Sequence, residues 1–162
     1  ISDLYVFEVI GNDQVKTNWS ENFQDKNYDI KDYSINPKLT YFSGENNRIN
    51  FIYKLSNISN LIGNQESLKQ QNFGISLFLN QKEKRGFISE FNYYKNEFNG
   101  ELNSVISYVM MNGLQGGENY TWSFKFQRKL SKLLDINFIY LGRKSNSLRT
   151  IHNGSIQLKA IF

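Results

Sequence analysis

Chemistry in this chain has few places to start. His152 is its single histidine, and it has no cysteine. A Ser–His–Asp hydrolase needs a base, a nucleophile and a third group that orients the base. Only Asp135 or Ser145, with His152, could imitate that set, and their spacing is unremarkable. A multi-histidine or cysteine-ligated metal site cannot be assembled, so neither metal nor cofactor is expected. Gly113-Leu114-Gln115-Gly116-Gly117 lacks the lysine and following helix of a phosphate-binding loop, and reads as a plain loop. No enzymatic activity is expected.

A second kind of chemistry is ionic. Lys38, Lys54, Glu90, Lys125, Asp135 and Lys159 lie mid-way along segments that otherwise alternate polar and apolar residues. Such charges either meet water on an outer face or pair and line an enclosed one. The net charge is +4, with lysines and arginines dispersed among aromatics and no basic stripe, so nucleic acid is not expected as a partner.

The elements that must hold these residues are strands. Eight segments repeat one alternating template: 33–43, 48–57, 68–80, 85–97, 101–111, 120–130, 134–144 and 151–162. In 33–43, Tyr33, Ile35, Pro37, Leu39 and Tyr41 oppose Ser34, Asn36, Lys38 and Thr40. In 120–130, Trp122, Phe124 and Phe126 oppose Thr121, Ser123, Lys125 and Gln127. Successive side chains of a strand point to opposite faces, so each segment has one apolar and one polar side. The period is 2, and Phe, Tyr and Ile are abundant, which disfavours helix. Residues 4–10 read as an additional strand. Residues 12–32 are polar and read as a long irregular connection, giving an expected division into 1–32 and 33–162.

The last segment ends Ile156, Leu158, Ala160, Phe162 on one side and Ser155, Gln157, Lys159 on the other. A closing strand with a terminal aromatic resembles that of bacterial outer-membrane β-barrels, where these four residues would form the signal read by the barrel-assembly machinery. The mean hydropathy of −0.53 does not argue against a membrane location, because only alternate residues of a transmembrane strand meet lipid. No run of about 18 apolar residues exists, so a transmembrane helix is not expected.

Alternation alone leaves the direction of the apolar side open. A soluble barrel turns it inward; a membrane barrel turns it out. Bulky aromatics crowd the apolar side, and the interior of an eight-stranded barrel is only just wide enough for side chains. Tyr and Trp cluster near the segment ends, as interfacial girdles do. These features favour an antiparallel transmembrane β-barrel of about eight strands, either complete or part of a larger one, with the six charged residues facing its lumen.

The stretches Tyr120-Thr121-Trp122, Gln127-Arg128-Lys129-Leu130, Tyr140-Leu141-Gly142-Arg143-Lys144-Ser145 and Ile151-His152-Asn153-Gly154, with the terminal strand, resemble the C-terminal part of large outer-membrane β-barrel proteins of the Bacteroidota. Asn36-Pro37-Lys38 and the glycine-rich 113–117 stretch are similar too. The likeness covers about residues 33–162. It implies an outer-membrane location and a longer parent chain, with outer-membrane lipid, the assembly machinery and other subunits of an outer-membrane complex as partners. It implies no defined activity. The expected role is a membrane anchor and wall of a transport or secretion conduit. The alternatives are a soluble lipocalin-like ligand-binding barrel and a barrel-embedded enzyme. With Phe162 at the periplasmic rim, connections 44–47, 81–84, 112–119 and 145–150 are expected outside, and 58–66, 98–100 and 131–133 on the periplasmic side.

Overall fold

A computed structural model describes residues 4–22, 26–63, 65–81, 85–131, 133–146 and 148–160. The chain forms eight antiparallel strands and one short helix: β1 (Leu4–Asn18), β2 (Tyr28–Ser43), β3 (Asn47–Asn60), β4 (Ser67–Gln81), β5 (Arg85–Asn99), α1 (Val105–Met110), β6 (Gly117–Lys129), β7 (Leu134–Ser145) and β8 (Ile151–Ala160). The strands lie in one sheet in sequence order, each bonded to its neighbours in the chain. The expected all-β antiparallel class is observed. The expected closure is not: β1 and β8 are the two edges of an open sheet, with no ladder between them among the described residues.

Eight strands were expected between 33 and 162, and seven are found there. The expected strand at 101–111 is replaced by turns and α1. Ser104 caps that helix, its Oγ accepting from the Ser107 backbone N–H at 3.0 Å. Asn99-Gly100 breaks the ladder before it, and Gly100, Asn103, Asn112 and Gly113 all take positive φ. The eighth strand is β1, which extends the expected 4–10 segment to Asn18. β2 begins at Tyr28, across the expected boundary at 32/33. The polar residues of 12–18 and 28–32 are therefore strand, because full-length pairing with each other satisfies their backbone, from Asn12 opposite Ser34 to Asn18 opposite Tyr28.

The altered count changes which connections share an end. β2, β4 and β6 finish at one end of the sheet, where β3, β5 and β7 begin, and β1, β3, β5 and β7 finish at the other; residues 82–84 lie outside the described residues. The expected grouping of 44–47 and 81–84 with 145–150 is thus corrected, because one strand fewer between 99 and 117 reverses the direction of every later strand. The corrected grouping is orderly. One end carries only connections of three or four residues, and the other carries connections of five to seventeen. β8 runs toward the short-turn end. Phe162 lies outside the described residues.

The sheet is a single layer. Beyond consecutive strands, no two elements are extensively packed on one another among the described residues. The hydrophobic core is correspondingly small: Ile30, Ile58 and Leu68 of the sheet meet Ile106, Met110, Met111 and Leu114 of the 100–116 connection, with Tyr28, Tyr94, Phe98 and Val109 around them.

Candidate functional site: the polar face of the sheet

Through the middle strands the register largely pairs like with like. One ladder on the polar face runs Val6, Thr40, Asn50, Ser76, Glu90, Ser123, Leu141, Asn153. On the other face, Phe7, Leu39, Phe51, Ile75, Phe91, Trp122, Gly142 and His152 line up in the same way. A one-residue slip would exchange the faces, so matched alternation on neighbouring strands is what fixes the pairing.

The two faces differ sharply in exposure. Thr40, Asn50, Ser76 and Ser123 are 3%, 6%, 7% and 9% exposed, while their chain neighbours Leu39, Phe51, Ile75 and Phe124 are 39%, 47%, 50% and 37% exposed. Among the described residues no second layer covers the polar side at these rows, so the burial of these side chains by one another means that the sheet curls toward them. The polar face is the concave one, and the apolar face is convex and open.

Hydrogen bonds cross the concave face strand by strand. Thr40 Oγ1 donates to Asn50 Oδ1 at 2.9 Å, and Asn50 Nδ2 donates to Ser76 Oγ at 2.8 Å. Farther along the ladder, Ser123 Oγ donates to Glu90 Oε2 at 3.3 Å. A second set links Gln70 Nε2 to Asn96 Oδ1 at 2.9 Å. Toward the long-connection end the protein leaves oxygens unpaired: Asp32 Oδ1, the facing hydroxyls of Ser34 and Ser56, Asn36 Oδ1 and Asn72 Oδ1 are all shielded without a protein partner.

All six charged residues singled out in the sequence lie on this face by register. They do not form one cluster. Lys38 pairs with Glu8 on β1 at 3.0 Å, a partner that sequence reading missed because β1 was not placed beside β2. Glu90 takes the Ser123 hydroxyl. Asp135 lies opposite Lys129 and Lys159 in the ladder, with a shielded Oδ1 that has no hydrogen-bond partner. Lys54, Lys125 and Lys159 make no ion pair among the described residues. The uncharged Thr40–Asn50–Ser76 ladder was legible only as a run of polar alternate positions, and its members become neighbours once the register is known.

The terminal-strand residues Ile156, Leu158 and Ala160 lie on the convex face, where Ile156 and Leu158 are among the most exposed apolar side chains. His152 is also convex. Its Nδ1 is 2.7 Å from the Tyr140 hydroxyl, and its ring is 6.0 Å from those of both Tyr140 and Trp122. Asp135 and Ser145 point to the opposite face, so the three cannot converge on one substrate. Among the described residues, no group of three or more acidic, histidine or cysteine side chains is placed to hold a metal ion.

No family model matches this chain, and neither a curated protein nor a solved structure does.

The convex face is banded. Tyr53, Phe73, Tyr93 and Tyr120 form a continuous aromatic row on β3 to β6, with ring centroids 4.4, 6.5 and 5.3 Å apart in turn. The next positions toward the long-connection end on β4 to β6 are Gln71, Lys95 and Glu118, and Tyr93 donates its hydroxyl to Glu118 Oε1 at 3.2 Å. Toward the two edges of the sheet the apolar band leaves these ladders. Tyr33 belongs to it on β2, but its ladder leads to Asn57, Lys69 and Glu97. Leu158 belongs to it on β8, but its ladder leads through Ile136 to Arg128 and Arg85. The centre of the band moves from Pro37 to Leu158, roughly eight residues along the strands over the six steps from β2 to β8, with β4, β5 and β6 level with one another, so the slant is an average. At the usual rise of about 3.4 Å and spacing of about 4.8 Å, that is a slant of about 43°.

Proposed function

We propose that this sheet is a section of the wall of a bacterial outer-membrane β-barrel, apolar face toward lipid and polar face toward the lumen. It anchors its parent assembly in the membrane and lines a conduit. The observation that carries this reading is the slanted apolar band. Strands of membrane barrels tilt by about 35–45° from the barrel axis, so a level hydrocarbon layer cuts across their ladders at that angle. The displacement falls between β2 and β4 and between β6 and β8, on either side of a level middle, and a soluble curved sheet has no reason to offset its apolar stripe in the same sense at both places.

Three further features support it. The strands have 10 to 16 residues, and about 9–11 are enough to cross a tilted bilayer. Aromatics followed by charges at one border of the band match the interface between hydrocarbon and headgroups. Short turns at one end and long connections at the other match the asymmetry of outer-membrane barrels, whose periplasmic turns are short. β8 then ends at the periplasmic rim, as the resemblance to Bacteroidota barrels implies. The open edges would be closed by further strands, since unpaired backbone groups are not tolerated in hydrocarbon.

The soluble ligand-binding alternative needs the apolar stripe on the concave side, the reverse of the curvature described. Membrane fractionation tests the choice. The protein is expected to stay with the membranes through an alkaline carbonate wash and to be released only by detergent. Recovery as a detergent-free, monodisperse species in the aqueous fraction would end the membrane reading.

A further inference from the structure

The concave face changes character at the long-connection end. Its middle rows are hydroxyls and amides, but Ile30, Ile58 and Leu68 near the ends of β2, β3 and β4 make it apolar. These three side chains are 3%, 6% and 1% exposed because the 100–116 connection folds onto them. Ile106, Met110, Met111 and Leu114 supply the covering surface. A helix of six residues does not hold itself together in water, so α1 owes its shape to this docking and to its Ser104 cap.

The later limb of the connection is tied to the wall. Asn119 brackets Gln115, accepting from its backbone N–H at 3.0 Å and donating to its carbonyl at 2.8 Å. Asn96 Nδ2 donates to the same carbonyl at 2.9 Å, and Arg143 donates to the Gly113 carbonyl at 3.4 Å. Gly100 and Gly117, where the segment leaves and rejoins the sheet, both have positive φ and turn it inward.

We infer that residues 100–116 form an inward-folded constriction at the long-connection mouth of the conduit, and that this segment sets the size of solute the lumen admits. The inference rests on the conduit reading proposed above. Its chemistry is that of an apolar Met- and Leu-faced plug seated on a matching patch, in a lumen lined elsewhere by hydroxyls, amides and dispersed charges such as Lys54, Glu90 and Lys125. A connection merely capping the rim would leave Ile30, Ile58 and Leu68 open to the lumen; here they are the floor on which it sits.

The test uses the protein in its native assembly, extracted from membranes and reconstituted in planar bilayers. Two variants release the segment: Met110→Ser with Met111→Ser, and replacement of 101–116 by a three-residue Gly-Ser-Gly turn that keeps the β5–β6 hairpin. Each is expected to raise single-channel conductance at least about twofold and to admit larger poly(ethylene glycol) probes. A Leu68→Cys/Met110→Cys pair, oxidised, is expected to stay at the unmodified value. Conductance that is present but the same in all three overturns the constriction and leaves the conduit standing. Absence of conductance from every form, the unmodified protein included, overturns the conduit and the constriction together.

Discussion

At the scale of single residues, contacts on the two faces make distinct demands. Asn50 both accepts and donates in the Thr40–Asn50–Ser76 ladder, with all three side chains buried. Asn50→Leu keeps roughly the same volume but strands the Thr40 hydroxyl and removes the donor to Ser76. Leaving buried polar groups unpaired costs about 1–3 kcal/mol, so urea unfolding in detergent is expected to shift by that amount. Thr40→Val combined with Asn50→Leu should recover part of the loss. Gly142 makes a different demand. A Cβ there would overlap the Trp122 ring, so the indole takes the space a side chain would need. Gly142→Ala must displace it, at about 1–3 kcal/mol for overpacking. In a Trp19→Phe background, the emission of Trp122 is expected to shift; an unchanged spectrum with unchanged stability would refute the contact.

At the scale of elements, the six-residue α1 is the least self-sufficient part of the fold. Ser104→Ala removes its cap, a loss of about 0.5–2 kcal/mol. Hydrogen exchange at 105–110 is expected to accelerate while the β4–β5 ladder keeps its protection; uniform protection throughout would contradict the dependence of the helix on its cap. This element is also where sequence reading failed. Leu102, Ile106, Tyr108 and Met110 alternate well enough to imitate a strand, and Ile106 and Met110 are equally four apart, the spacing of one helix face. Only the burial of both in one cluster with Ile30, Ile58 and Leu68, which lie far away in the chain, decides between the two periods. The 12–18 stretch was misread for the opposite reason. Its residues are polar on both faces, so no alternation marks it as strand, and its structure follows from the β2 ladder beside it. By contrast, strands with bulky apolar side chains on one side, such as β3, β4 and β6, were legible down to which residue faces which way. The six charged positions were placed on the polar face for the same reason. Their partners were not legible, because Glu8 meets Lys38 only through the β1–β2 register.

At the scale of the whole molecule, the slanted band sets a depth for each convex residue. Phe91 lies in its middle and Tyr33 at its border beside Lys31. Arginine on a lipid-facing position costs about 2–4 kcal/mol at the bilayer midplane and about 0–1 near an interface. Phe91→Arg is therefore expected to destabilise folding in lipid vesicles by the larger amount and Tyr33→Arg by the smaller; equal penalties would argue against a bilayer across this face. The direction in which the sheet presents its faces underlies every one of these expectations. It can be read strand-wise by spin labels at single cysteines from 120 to 127 on β6, in a chain with no native cysteine to interfere. In membranes, the account predicts collision with dissolved oxygen to peak at 120, 122, 124 and 126, and collision with a water-soluble nickel chelate to peak at 121, 123, 125 and 127. The opposite phase, or chelate access at 122 and 124, would contradict it.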